Sequence, residues 1–81
     1  MAKRRMFVSG PAEIIKEPML YRLVKDFDIM PSVRRADVQA KEAWLVLELE
    51  ADEEESINRG VEYLKSLGAS IRALEGDMVE S

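Results

Sequence analysis

The residues of this chain best placed to do chemistry are two glutamates on one strand face. Glu48 and Glu50 stand two apart in Leu45-Val46-Leu47-Glu48-Leu49-Glu50, so both carboxylates project from the same side of a strand. A pair of that kind can act as general acid and general base. Set opposite Arg35 on a neighbouring strand, Glu48 more simply forms a surface ion pair. The run Asp52-Glu53-Glu54-Glu55 offers four carboxylates, but consecutive residues of a helix point around its cylinder and do not converge on one ion. Gly10-Pro11 is far from a glycine-rich phosphate cradle. The chain has no histidine and no cysteine, which removes imidazole bases, thiolate nucleophiles, disulfides and the commonest zinc ligands. With no nucleophile–base pair, the sequence predicts no enzyme, no metal and no cofactor.

The elements that carry these residues follow from periodicity. Arg4 to Ser9 alternates as a first strand, with Met6 and Val8 on one face and Phe7 on the other, and Gly10-Pro11 ends it. Ile14 and Ile15 are expected to fold back over the edge of the core. A helix is predicted from Pro18 to Phe27, proline being suited to a first turn. Leu20, Leu23, Val24 and Phe27 form its apolar stripe. Pro31 stops it. Strands two and three are predicted at Val33 to Gln39 and Ala43 to Ala51. The register that keeps Leu45, Leu47 and Leu49 together sets Val38 against Leu45, Ala36 against Leu47 and Arg34 against Leu49. It also places Arg35 against Glu48 and leaves Arg34 as a charge on the core side.

A second helix begins with Asp52 as cap and Glu55 three residues on, the acids favouring a helix N-terminus. Ile57, Val61, Leu64 and Leu67 supply its buried stripe, and Gly68 its left-handed end. Ser70 to Glu75 is a fourth strand, with residues 75–81 a frayed tail. The order strand, helix, strand, strand, helix, strand predicts an α+β, ferredoxin-like βαββαβ sandwich: a four-stranded antiparallel sheet with both helices on one face. Eighty-one residues make one domain, 1–81. Its net stability is about 4–12 kcal/mol on a per-residue basis, so a partner would help it. No apolar run reaches the ~18 residues of a membrane span, and a soluble, cytoplasmic chain is expected.

The bare sheet face would carry Trp44 and Val46 with Phe7 alongside, and exposed apolar surface of that kind usually meets a partner. A two-fold homodimer through this face or the sheet edges is expected. Residues 1–41 hold nine basic and five acidic side chains, and residues 42–81 three and eleven. That asymmetry reads as pairing inside one small domain. RNA-binding modules of the same layout stack bases on aromatics of strands one and three, and Phe7 and Trp44 sit at loosely comparable places. The basic, aromatic-rich third strand of such modules is missing and the net charge is −4, so no nucleic acid is expected.

Several segments together resemble a known family. Tyr21-Arg22-Leu23-Val24-Lys25-Asp26-Phe27-Asp28-Ile29, Ser32-Val33-Arg34-Arg35-Ala36-Asp37-Val38 and Leu45-Val46-Leu47-Glu48-Leu49 look like the NIL domain, a ferredoxin-like module akin to the ACT fold. The likeness covers about Lys3 to Leu74. Ser32-Val33-Arg34 stands where the family's naming Asn-Ile-Leu stretch is usual. The resemblance implies one of two settings. At the C-terminus of methionine-importer ATPases such domains pair and bind methionine, which shuts down transport. In a second group the domain precedes a 4Fe-4S ferredoxin in proteins of sulphur assimilation, and the wording of this chain is closer to that group.

From the resemblance, the leading expectation is a non-enzymatic regulatory domain of sulphur metabolism that senses a small sulphur amino acid, such as methionine, at a dimer interface. The alternative is a docking domain for an Fe–S ferredoxin or a sulphur-assimilation enzyme. The family places recognition at the start of strand two, so Ser32, Val33 and Arg34 are the ligand-binding candidates. Arg34 would clamp the carboxylate while backbone carbonyls hold the ammonium. The simpler reading has Arg34 reaching from an edge strand to solvent.

Overall fold

The computed structural model describes residues 1–74; the expected frayed tail, 75–81, lies outside them. Its elements are β1 (Ala2–Pro11), α1 (Glu17–Phe27), β2 (Met30–Val38), β3 (Glu42–Ala51), α2 (Glu54–Ser66) and β4 (Ser70–Ala73). The strands form one antiparallel sheet in the order β2-β3-β1-β4. Both helices lie on one side, giving the α+β ferredoxin-like sandwich.

The sheet is built on the alternation of its two central strands. In β3 the odd-numbered residues Ala43, Leu45, Leu47, Leu49 and Ala51 are buried, while Trp44, Val46, Glu48 and Glu50 are half-buried on the other side. β1 pairs with β3 along its whole length, Met6 opposite Leu47 and Val8 opposite Leu45. Ile57 and Leu64 of α2, Met19 and Leu23 of α1, and Ile15 and Ile29 from the connections close over this apolar floor. Ile15 does fold back as expected, held by a turn in which its N–H and that of Ile14 donate to the Pro11 carbonyl.

Four local expectations are corrected. The α1 stripe is rotated: Met19 and Leu23 are buried, whereas Val24 is exposed. α2 starts one residue later than a cap at Asp52 implies. Glu53 occupies the cap with extended backbone and no side-chain hydrogen bond, so the acids act through the charge of the helix start alone. The β2–β3 turn is tighter than expected: the Gln39 N–H donates to the Glu42 carbonyl at 2.8 Å. Val38 therefore faces Ala43 and Ala36 faces Leu45, a slip of two residues that preserves the faces. Finally, a β-bulge between Val33 and Arg35 inserts Arg34 as an extra residue. The bulge turns Arg34 from the core side to the open face, where it meets a carboxylate.

Two backbone features set up the β2 edge. Gly68 ends α2 at φ +102° as expected. The α1 end uses no glycine: Asp28 adopts φ 60°, its N–H donating to the carbonyls of Leu23 and Val24. Ile29 N–H then donates to the Leu23 carbonyl at 3.1 Å, a closure one residue wider than a Schellman motif, which drops Ile29 into the core and launches β2. Above it, Gly60 of α2 is buried against Leu23 and Ile29, and a Cβ there would collide with the Ile29 side chain.

Two substitutions check this packing. Leu47→Ala removes a fully buried side chain and is expected to cost about 2–5 kcal/mol in urea unfolding through transfer loss plus a cavity. A shift below about 1 kcal/mol would mean that the site collapses without a cavity. Gly60→Ala gains about 1 kcal/mol of helix propensity, but overpacking against buried Ile29 costs about 1–3 kcal/mol. We expect net destabilisation, and a rise in stability would show that the helices can part.

Candidate functional site

Three surfaces could hold something: the uncovered sheet face, a cleft at the α1–β2 junction, and the β2 edge. The uncovered face carries the even-numbered residues of β3 and their partners. Phe7 lies opposite Val46 and Ser9 opposite Trp44. The rings of Phe7 and Trp44 stack at 5.5 Å with 25° between their planes. Arg72 of β4, opposite Phe7, lays its guanidinium over that ring, 4.9 Å from the centroid.

Glu48 is the electrostatic centre of this face. Its side chain is only 16% exposed, and three cations surround it: Arg5 Nη2 at 3.1 Å, Lys3 Nζ at 3.5 Å and Arg34 Nη1 at 3.8 Å. The hydrogen bond from Arg5, reinforced by that from Lys3, holds the Glu48 carboxyl below its ordinary 4.5, against the opposing effect of burial. Arg35, expected opposite Glu48, instead stands opposite Val46 because the tighter β2–β3 turn slips the register by two residues. Glu48 and Glu50 therefore do not form an acid–base couple: Glu48 is an ionised counter-charge locked among cations. Among the described residues no group of three acidic, histidine or cysteine side chains converges on a metal position.

The junction cleft has a volume of about 390 Å³ and is lined by Met1, Val24, Asp28, Ile29, Met30, Glu50, Ala51 and Asp52. Val24, the left-handed Asp28 that ends α1, Ile29 and the first residue of β2, Met30, form one wall. The end of β3 and the approach to α2 form the other. Three carboxylates and an apolar wall thus share one opening. This composition suits a cationic head on a short apolar chain, since an ammonium takes carboxylate acceptors and the chain takes hydrocarbon walls.

The β2 edge is the third feature. Tyr21, Val24, Met30, Val33 and Val38 are 45% to 64% exposed and all belong to α1 or β2. The helices cover the centre of the sheet and leave the outer part of β2 bare, so Val33 and Val38 face the helix side without a helix above them. Sequence alternation read Ala36 and Val38 as core; which strands two short helices can reach is not written in that alternation. Of the ligand-binding candidates, Ser32 and Arg34 open onto the uncovered sheet face and Val33 onto the helix side. The interface candidates Phe7, Trp44 and Val46 lie together on the uncovered face, half-buried. Asp28, Glu50 and Asp52 were not singled out as a group, because a turn and two elements far apart in sequence bring them together.

An open-faced βαββαβ sheet of this size defines a small ferredoxin-like module. A family model for the NIL domain matches residues 5–73, and the chain belongs to that family. The C-terminal domain of an ABC transporter ATP-binding protein from Enterococcus faecalis superposes with a TM-score of 0.76 at 19% identity, covering 88% of this chain and 82% of that one. An amidase of the hydantoinase/carbamoylase family from Burkholderia phymatum superposes with a TM-score of 0.56 at 14% identity, covering 90% of this chain but 28% of the amidase. Both likenesses speak for the fold alone. No curated protein matches the sequence significantly. Among the described residues no helix is long and apolar enough to cross a membrane.

The Glu48 cluster generates a pH prediction. Because the folded-state carboxyl titrates below its ordinary 4.5, its stabilisation is present above that value and is lost as pH falls through the depressed one. Thermal unfolding should show Glu48→Gln less stable than the parent at pH 7, with the gap closing below about pH 4. A gap that stays constant to pH 3 would show that the cluster contributes packing only.

Proposed function

We propose that this domain is a non-catalytic, cytoplasmic regulatory module that binds a small sulphur amino acid, methionine-like in size, where two copies meet. The observation that carries the reading is the junction cleft, with its three carboxylates and apolar wall, beside a bare apolar strand edge. Membership of the NIL family supports it, as does the likeness to a domain carried by an ABC transporter ATP-binding protein. A domain appended to a transporter ATPase is well placed to report the level of a small solute.

The chemistry of a zwitterion divides between copies. Asp28, Glu50 and Asp52 offer acceptors for an ammonium, and Val24, Ile29 and Met30 take an unbranched thioether chain. No lysine or arginine lines this cleft, so a single copy recognises the ammonium half only. The missing cation comes from the second copy, and β2 is the route by which it arrives. Nine residues long, β2 is an unpaired edge that a second β2 can extend by backbone hydrogen bonds. The exposed Val33, Val38 and Tyr21 become covered in such a pairing. Arg34, bulged outward on that same strand, is the guanidinium suited to the ligand carboxylate.

Calorimetric titration of the whole chain with methionine, homocysteine and cysteine tests the ligand. Saturable heat with methionine is expected, and Arg34→Ala should weaken it by about 1.5–3 kcal/mol, the range for a hydrogen bond to a charged group. Arg35→Ala should change it far less. No heat with any of the three, or equal losses from both arginines, would overturn the assignment. Sedimentation tests the edge separately. Val38→Lys alters an exposed residue, so the fold should survive and the dimer dissociate, whereas a dimer unaffected by Val38→Lys would place the contact elsewhere.

A further inference from the structure

The uncovered sheet face differs in charge from the molecule that bears it. Lys3, Arg5, Arg34, Arg35 and Arg72 lie on this face against four carboxylates, Asp37, Glu42, Glu48 and Glu50. In a chain of net charge −4, one surface is therefore positive, and the stacked Phe7–Trp44 pair sits within it. Whole-chain charge argued against a polyanion, but the field at a surface is set by the groups on that surface within a Debye length of about 8 Å. Arg35 and Arg72 make no ion pair among the described residues, so their charges are available. Beside Trp44 a cleft of about 580 Å³ is lined by Ser9, Asp37, Gln39 and Lys41 among others. It has room for a nucleobase and carries both donors and acceptors.

From these features we propose that the open sheet face binds single-stranded RNA, with a base stacked on Trp44 at the polar cleft and phosphates on Arg35 and Arg72. An acidic polypeptide fits less well. A sheet face presents no free backbone donors or acceptors to a strand, which would pair at the β2 edge instead. Ring planes beside guanidinium groups suit stacked bases and a phosphate backbone. Asp37 and Gln39, hydrogen-bonded to each other at 2.9 Å, stand at the mouth of the cleft and meet the edge of the base. Arg35 and Asp37 belong to β2 and Glu50 also lines the junction cleft, so the two sites are told apart by their probes, methionine for one and an oligonucleotide for the other.

Trp44 is the single tryptophan of the chain, so its fluorescence reports the proposed contact directly. The probe is an oligouridylate of roughly eight nucleotides, within the ~4–16-nucleotide sites of single-strand binding folds, added to the full chain. Saturable quenching of Trp44 is expected, with affinity falling as salt rises. With a dye-labelled oligomer read by anisotropy, Trp44→Leu should weaken binding roughly 5- to 150-fold through loss of stacking. Arg35→Ala and Arg72→Ala should each weaken it and flatten the salt slope by about one. Heparin should compete without quenching. The proposal is overturned if the oligomer neither quenches Trp44 nor gains anisotropy. It is also overturned if Trp44→Leu binds as well as the parent, which would mean polyanion adsorption only, or if polyglutamate displaces the oligomer at equal charge, which would indicate an acidic protein partner.

Discussion

The strict alternation of β3 is the constraint on which the rest of the molecule depends. Five odd-numbered positions are apolar and buried, and they give the two helices something to close over. The same pleat sends Trp44, Val46, Glu48 and Glu50 to the other side. With only two helices, both on the leucine side, that second face has no cover from within the chain. A half-buried carboxylate in the middle of a sheet must then be neutralised by its neighbours. β1 supplies Lys3 and Arg5, and β2 reaches Glu48 only because the bulge turns Arg34 outward.

A second consequence is the mismatch between a four-stranded sheet and the helices that cover it. β1 and β3 are central and fully roofed. β2 is long, lies at the edge and emerges from beneath α1 after Pro31, and every residue from Ser32 to Val38 is exposed. An edge strand carrying valines and lacking a roof is a liability in a free monomer and an asset in a module that pairs. The α1 end that launches β2 is also the wall of the junction cleft. Asp28 holds a left-handed backbone more readily adopted by glycine, and it places a carboxylate there that glycine could not. Local strain at such a point is a common signature of a ligand site.

The sandwich was legible because its signals are local and agree: alternation in β1 and β3, helical stripes between them, Gly68 at a helix end and Pro31 at a strand start. The departures have separate causes. The β2–β3 register differs by two because Gln39 and Glu42 close a tighter turn, and the burial that selects the register cannot tell two-residue slips apart, since they leave the hydrophobic faces unchanged. The bulge at Arg34 left no glycine to announce it. Val24 and Val38 look like core residues in any periodic reading, and their exposure depends on where helices of this length end. The junction cleft was illegible for a different reason. Asp28, Glu50 and Asp52 belong to a helix end, a strand and a loop, and only the closed topology assembles them. The family likeness pointed to the start of β2, and the cleft opens at Met30, two residues before the stretch it singled out.

In the function proposed, the bare β2 edge and the junction cleft form one device, in which ligand and second copy stabilise each other. Amide hydrogen exchange along β2, followed with rising protein concentration and with methionine, tests that coupling most directly. Outward-facing amides between Val33 and Val38 are expected to gain protection as copies associate, and methionine to produce the same gain at lower protein concentration. Fast exchange of these amides under all conditions, with protection confined to β1 and β3, would contradict it.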